Sequence, residues 1–225
     1  YTFARNSFVV FPSIDTIKVI NFAGAWQSCS SMTTFPTLNY SNATNLSSIW
    51  EGCSNLNSFP SPSGSTSALN NVSKAFYGIK NPTSFPTSWD FINVNQFNST
   101  WVGCEGLTSF PTFNMEKCIN AQSAWQNCFG LLTFPKIDMP LNTNFNYTWA
   151  SCTSLATNTP MDCSSGVAFY GTWKENYALT AVDSGWEWKK GNNFGACWNG
   201  CTLLTDFPPN MFRWEQDNWN VSAFS

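Results

Sequence analysis

An aromatic residue recurs along this chain at nearly constant spacing, and this periodicity constrains the fold more than any other feature. Tryptophan or phenylalanine returns every 24 to 26 residues. These eight positions, the aromatic column, are Trp26, Trp50, Phe76, Trp101, Trp125, Trp149, Trp173 and Trp198. A fixed period of about 20 to 50 residues is typical of proteins that stack one structural unit many times. The sequence therefore predicts about eight tandem units.

Other positions keep step with the aromatic residue. A leucine or methionine usually follows it by six residues, and a Phe-Pro pair by nine. The Phe-Pro pairs begin at Phe35, Phe59, Phe85, Phe110, Phe134 and Phe207. Cysteine follows the aromatic by three residues in a thiol column that comprises Cys29, Cys53, Cys104, Cys128, Cys152 and Cys201. Because free cysteine packs as a small hydrophobe, both columns predict structural ladders in which equivalent side chains lie over one another.

The segment around each aromatic residue has a helical pattern. Residues four before it, at it and three after it fall on one stripe of a helical wheel. Asparagine precedes that stripe at Asn21, Asn45, Asn71, Asn120, Asn144 and Asn193. Asparagine is a preferred N-cap because its side-chain oxygen accepts from free N–H groups of the first turn. This pattern predicts a short helix, and the segment through Phe-Pro predicts a short strand.

Neither face of such a unit is buried alone, so neighbouring units must stack. The predicted fold is an α/β repeat solenoid, a leucine-rich-repeat-like stack of about eight units, each a short helix plus a short parallel β-strand. Strands of a few residues are expected, because proline cannot donate to a sheet. We expect residues 1–225 to form a single repeat-solenoid domain and to be a segment of a longer chain, since residues 221–224 resemble the start of another unit.

Two stretches carry a family resemblance. They are Trp101-Val-Gly-Cys-Glu-Gly-Leu-Thr-Ser-Phe-Pro111 and Trp50-Glu-Gly-Cys-Ser-Asn-Leu-Asn-Ser-Phe-Pro60. In these stretches, and in phase over nearly the whole sequence, the chain resembles the BspA-like (treponemal-type) leucine-rich repeats. Tryptophan replaces the family's usual phenylalanine, and the proline comes earlier. The resemblance implies a surface adhesin of the kind found in bacteria and parasites, or a virion or tail-fibre protein like those of marine phages. It implies no catalytic residues.

Composition limits the partners. Charged residues make up 10% of the chain and the net charge is -3, against about 25% charged residues in an average globular protein. Without a basic surface, the chain is not expected to bind nucleic acid. No window approaches the roughly 18 apolar residues of a membrane span, so membrane insertion is not expected. The many Asn, Ser and Thr residues favour an extracellular, cell-surface or virion-surface location.

Cysteine usage favours buried thiols over disulfides. The chain has nine cysteines and six of them share one position of the repeat. If helices separate the units by roughly 8 to 10 Å, neighbouring cysteines exceed the roughly 7 Å Cα limit for a disulfide. Cys118, Cys163 and Cys197 lie outside the thiol column, and a disulfide between two of them stays open. With no histidine and no close cysteine pairs, neither a metal site nor a cofactor is expected.

The stretch from Thr157 to Lys190 breaks the pattern, because Phe-Pro is missing twice. The candidate binding residues here are Trp186, Trp188, Lys189 and Lys190. Exposed tryptophan beside polar groups can stack on sugar rings, so one hypothesis is a glycan site. The alternative, which we favour, is that the tryptophans fill core space left by the missing phenylalanine.

Catalysis has weak support. Asp138 and Asp162 share one position of the repeat, like paired acids of a glycosidase, but Asn39 and Asn114 hold it elsewhere, which favours turns. A row of hydroxyl residues raises ice binding as a remote alternative: Thr34, Thr37, Ser84, Thr87, Ser109 and Thr112.

The sequence favours a non-enzymatic, surface-exposed binding or structural protein that serves adhesion or host attachment. The expected partners are a host-surface glycan or protein receptor, or neighbouring virion or surface subunits. A carbohydrate-active solenoid enzyme is the main alternative.

Overall fold

A computed structural model describes residues 3–157, 159–186 and 188–206. The predicted Phe207-Pro208 pair and the predicted unit start at residues 221–224 lie outside these ranges. Successive units lie side by side, and every backbone bridge shown between them is parallel. The chain is therefore wound as a stack in which each unit runs in the same direction as its neighbours.

Extended structure is short. Strand β1 spans Leu38–Asn39 and strand β2 spans Pro62–Ser63. They pair in parallel, with Leu38 opposite Pro62 and Asn39 opposite Ser63. Elsewhere the units pair through single residues. The longest run of bridges is the asparagine column, which joins Asn21, Asn45, Asn71, Gln96, Asn120, Asn144, Ala168 and Asn193. It connects eight successive units without a gap.

The predicted helix is wrong, because no helix forms in any of the described ranges. Around Trp26, alternate N–H groups donate to the next unit instead of to their own. These bonds run from Phe22, Gly24, Trp26 and Ser28 to the carbonyls of Asn45, Ser47, Ile49 and Glu51. The alternating N–H groups of Ala25, Gln27 and Cys29 bond three residues back, as Cys29 does to the carbonyl of Trp26 at 3.3 Å. The backbone is thus a ribbon of turns that shares its hydrogen bonds with its neighbour.

Backbone dihedrals show why a helix is excluded. In each unit the residues two before and two after the aromatic residue have positive φ, for example 62° at Gly24 and 60° at Ser28. A right-handed helix needs φ near about −63° at every residue, and positive values interrupt it. Glycine suits this geometry because it lacks a Cβ, and it holds the second of these positions at Gly52, Gly78, Gly103 and Gly200.

The recurring asparagines make the hydrogen bond expected of a cap, but they begin a turn. The Oδ1 of Asn45 accepts from the N–H of Ser47 at 2.8 Å, and that of Asn71 from Ser73 at 2.9 Å. All six do the same at 2.8–3.2 Å. The asparagine side chain can make this local hydrogen bond at the start of a helix or of a turn. Its presence alone therefore does not distinguish the two.

The core consists of side chains stacked along the rod. Neighbouring rings of the aromatic column lie with centroids 5.1–6.4 Å apart and planes 4–21° from parallel. The phenylalanines of the Phe-Pro pairs meet these rings edge-on, as Phe134 meets Trp125 at 4.7 Å. Such aromatic pairs contribute about 0.5–1.5 kcal/mol each beyond their burial. One hydrophobic cluster extends from Phe11 to Trp198.

The aromatic column begins one unit earlier than its predicted first member, Trp26. Phe3 stacks on Trp26 with centroids 5.9 Å apart, and its N–H donates to the carbonyl of Ala25. Arg5, two residues on, has the positive φ of 59° that marks this position in other units. Phe3 therefore holds the aromatic position of a preceding unit. Its spacing of 23 residues from Trp26 fell outside the predicted interval.

Candidate functional site

The thiol column forms a regular set of bonds between units. Each thiol donates to the carbonyl of the aromatic residue in the preceding unit, as Cys128 does to Trp101 at 3.2 Å and Cys152 to Trp125 at 3.1 Å. The carbonyls of Trp101 and Trp125 also accept the N–H of the cysteine in their own unit, Cys104 and Cys128. Cysteine therefore fits this position because it is small, apolar and able to donate one weak hydrogen bond.

Burial keeps these thiols protonated. It raises the pKa of Cys53 and Cys128 to about 12, and that of Cys201, which is partly exposed, to about 11. The thiolate is the nucleophile and the metal ligand, so a raised pKa makes a cysteine inert at neutral pH. The thiol column therefore has the properties of packed core residues, and not those of a catalytic or redox centre.

All nine cysteines are thiols, including the three outside the column. The expectation of buried thiols agrees with the structure, but the distance argument for it was wrong. Within the described part of the chain no helices separate the units, and neighbouring aromatic rings lie only 5.1–6.4 Å apart. Parallel strands pack about 4.8 Å apart, which lies inside the range of Cα distances for a disulfide. Each thiol of the column instead donates a hydrogen bond to a carbonyl.

The structure places the predicted binding tryptophans in the core. Trp186 is 6% exposed and Trp188 is 4% exposed. Trp186 packs edge-on against Trp173 at 5.1 Å, and Trp188 lies 5.6 Å from the same ring. Neither indole presents a face to solvent, so the exposed stacking surface that the glycan hypothesis required is not formed by these two residues. The alternative, in which they fill core space, describes their positions.

Lys189 and Lys190, which directly follow Trp188, are exposed. Hydrogen bonds from the N–H and the hydroxyl of Ser164 hold the pKa of Asp162 below its usual value, and the charge of Lys189 adds to this effect. In the unit that precedes Asp162, the Nζ of Lys136 lies 3.5 Å from the Oδ2 of Asp138. Each of these two aspartates therefore has a lysine nearby, Lys189 for Asp162 and Lys136 for Asp138. A role of the lysines in binding stays a prediction.

Asp138 and Asp162 do lie in neighbouring units, but as turn residues. The Oδ1 of Asp138 accepts from the N–H of Asp162 at 2.7 Å, and that of Asp162 accepts from Ser164 at 2.9 Å. A general acid at neutral pH needs a raised pKa, whereas that of Asp162 is lowered. Asp162 therefore lacks the electrostatics of a glycosidase acid.

No group of three or more potential metal ligands lies within the described ranges. The search for a helix long and apolar enough to cross a membrane also finds none among these residues. Two surface tyrosines were not among the predicted site residues: Tyr147, which is partly buried, and Tyr170, which is exposed. Each is followed, at the equivalent position of the next unit, by a glycine, and that pattern is visible in the sequence.

The fold defines the class as a repeat solenoid with parallel stacked units. Among solved structures, the chain is similar to a leucine-rich repeat protein of T. pallidum, at 16% identity and a TM-score of 0.29, over 91% of this chain and 68% of that one. It is also similar to a leucine-rich cell surface protein of Faecalibacterium prausnitzii, at 12% identity and a TM-score of 0.29, over 82% and 75% of the two chains.

A leucine-rich repeat protein of Bacteroides ovatus is similar at 14% identity and a TM-score of 0.19, over 88% and 80% of the chains. The similarity to these bacterial proteins thus combines high coverage with low TM-scores. No protein family matches the chain. No curated protein matches it either.

Proposed function

We propose that the chain is a non-enzymatic, surface-exposed binding rod that serves adhesion or host attachment. The observation that carries this proposal is the unbroken asparagine column, which bonds eight successive units in register. A stack bonded in this way displays its outer side chains at fixed spacing, and rigid scaffolds of this kind commonly present binding residues. The partner is a host-surface glycan or protein receptor, or a neighbouring virion or surface subunit.

Two further features support this function. The large rings and the thiols are used up in the core, so none of the thiols characterised above is poised as a nucleophile. The outward positions are mainly Asn, Ser and Thr, which interact well with water and with hydroxylated surfaces. A similar protein of F. prausnitzii is described as a cell surface protein, which favours the same location for this chain.

The test is saturable binding to cells. Fluorescently labelled chain is incubated with bacterial, protist and animal cells, and bound label is measured against increasing unlabelled chain. We expect saturable, competed binding to at least one cell type, and heat-unfolded chain as control should not compete. Absence of saturable binding throughout would contradict the proposal. Release of reducing ends from added polysaccharides would instead favour the carbohydrate-active alternative.

Ice binding is a second candidate, because all six predicted hydroxyl residues are exposed, among them Thr34, Ser84 and Ser109. Ser84 and Ser109 are joined by a parallel bridge that continues to Thr133. The row is interrupted by Lys136, which is also exposed. Thermal hysteresis of the purified chain distinguishes this candidate from attachment.

A further inference from the structure

Two tyrosines form an exposed aromatic pair on one side of the rod. Tyr147 lies two residues before Trp149, and Tyr170 lies three residues before Trp173. Their ring centroids are 5.4 Å apart with planes at 71°. Tyr170 is 38% exposed, and Tyr147 is partly buried. Because the two residues belong to successive units, the pair bridges two layers of the stack.

A glycine in the next unit makes room for each ring. A Cβ on Gly171 would lie 2.7 Å from Cε1 of Tyr147, and a Cβ on Gly195 would lie 2.9 Å from Cδ2 of Tyr170. Real Cβ atoms do not approach other heavy atoms this closely, so each ring occupies space that a side chain would fill. The rings therefore lie against the backbone of the following unit, which limits their freedom before any ligand arrives.

A charged side chain, that of Lys174, lies near the pair. Burial and then the neighbouring Tyr170 raise the pKa of Tyr147, and the charge of Lys174 acts in the opposite direction. Lys174 lies 3.4 Å from Glu175, whose other oxygen accepts from Ser151 at 2.9 Å. The charges are paired, so the surface offers donors and acceptors without a strong net field.

At these two positions of the repeat, aromatic residues occur only as Tyr147 and Tyr170. In earlier units the positions equivalent to Tyr147 and Tyr170 hold small or flexible polar residues. At these two positions the earlier units have Ser47, Ser48, Ser73, Lys74, Asn98, Ser99, Gln122 and Ser123. The tyrosines are therefore not a requirement of the repeat. Their rings also lie outside the buried cluster, so their packing contributes little to the core.

We propose that Tyr147 and Tyr170 form a stacking platform for a saccharide ring, with Ser151, Lys174 and Glu175 as hydrogen-bonding partners for its hydroxyl groups. The proposal rests on the attachment function and names the ligand class and the site. A pyranose has apolar C–H faces and polar edges, which matches an exposed ring with a polar rim. Pre-ordered rings reduce the entropy lost on binding.

The experiment uses an array of immobilised neutral and acidic oligosaccharides and the whole chain. The oligosaccharide that gives the highest signal is then titrated by calorimetry against wild type and variants. We expect the double variant Tyr147→Ala/Tyr170→Ala to bind at least tenfold more weakly. Tyr77→Ala is the matched control, because Tyr77 is 37% exposed but lies in an earlier unit. It should bind within twofold of wild type.

Two more variants separate stacking from other effects. Gly195→Ala keeps both tyrosines but places a methyl group where the Tyr170 ring lies, so binding should weaken at least threefold. Tyr147→Phe/Tyr170→Phe keeps the rings and should lose much less than the alanine pair. An equal loss in the phenylalanine pair would overturn stacking. Thermal unfolding should be nearly unchanged in all of them, since the rings are outside the core.

The outcomes distinguish this inference from the attachment function. Saccharide binding that survives the alanine pair would overturn the platform and leave attachment standing. Saturable binding to cells without binding to any oligosaccharide on the array would do the same. Failure of wild type in both assays would overturn both proposals. A tenfold loss in the alanine pair with an unchanged Tyr77→Ala variant would support the platform.

Discussion

The central units and the stretch from Thr157 to Lys190 solve one packing problem in two ways. Between Trp101 and Trp149, each unit fills its interior with a stacked indole and a phenylalanine from Phe-Pro, as Phe134 does. In the later stretch a valine, Val182, takes the phenylalanine position. The missing volume is replaced by rings from other positions, so the repeat conserves core volume more strictly than it conserves residue identity.

The replacement fits less well than the original. Trp188 lies tilted by 45–55° to Phe169 and Trp173, instead of stacked on them. A small cavity of about 10 Å³, roughly the space of one water molecule, remains beside Trp149 and Trp186. Asn176 replaces the column cysteine, and neither of its side-chain polar atoms has a hydrogen-bond partner. The irregular stretch is therefore expected to be the less stable of the two regions.

Removal of a central ring should have the largest effect. Trp125→Ala should lower the free energy of unfolding by about 3–5 kcal/mol, because Trp125 is stacked on both sides at 5.1 and 5.8 Å. Trp186→Ala should cost less, because its site already borders a cavity and its neighbours can relax. Chemical denaturation measures both. An equal or larger cost for Trp186→Ala would break the distinction between the regions.

Exchange of cysteine and asparagine at the thiol-column position should have an intermediate effect on the free energy of unfolding, with opposite signs in the two regions. Asn176→Cys should stabilise the chain by about 1–3 kcal/mol, since it removes a buried amide without partners and restores a thiol that can donate to a carbonyl.

The reciprocal change is the control. Cys152→Asn should destabilise by a similar amount, because Cys152 is fully buried and its Sγ bonds the Trp125 carbonyl. The melting temperatures should therefore move in opposite directions. A neutral Asn176→Cys variant would show that this asparagine has partners in solution.

The thiols should have no effect on stability at neutral pH and should make stability depend on pH only in the alkaline range. Folding raises the pKa of Cys128 from 9.0 to about 12, so above pH 9 the unfolded chain loses protons that the folded chain keeps. Stability is thus fully present below pH 9 and declines as pH rises towards 12. The slope is about 1.4 kcal/mol per pH unit for each such thiol.

Thiol reagents provide the complementary measurement. In the native chain Cys201 should react first, since it is the partly exposed cysteine, and Cys201→Ser should remove this fast phase. Denatured, unreduced protein should show nine reactive thiols. Rapid native reaction of Cys104, Cys128 and Cys152 would show that the column is open.

Much of the interior was predictable from the sequence. The repeat length, the aromatic and thiol columns and the asparagines that bond a nearby backbone N–H follow from residue types that recur in phase. They are predictable because each position meets the same surroundings in every unit. Phe3 was missed since its unit is one residue shorter than the predicted interval.

The apolar stripe alone could not predict whether this segment is a helix or a ribbon of turns. Buried positions at minus four, zero and plus three occur in a helix and also in a ribbon of turns. Glycine at Gly52, Gly78 and Gly103 was the contrary signal, because glycine disfavours a helix interior by about 1 kcal/mol. The exact placement of the two candidate tryptophans could not be predicted for a related reason. The sequence shows that Trp186 and Trp188 interrupt the pattern, but not which void they fill.

The sequence by itself determined which side chains recur and which of them need to be buried. Only the tertiary structure decided where the backbone hydrogen bonds go and which rings remain at the surface. An N–H group bonds within its own segment or to the neighbouring unit according to which carbonyl is in reach. That choice depends on a partner about 24 residues away, so local sequence does not settle it.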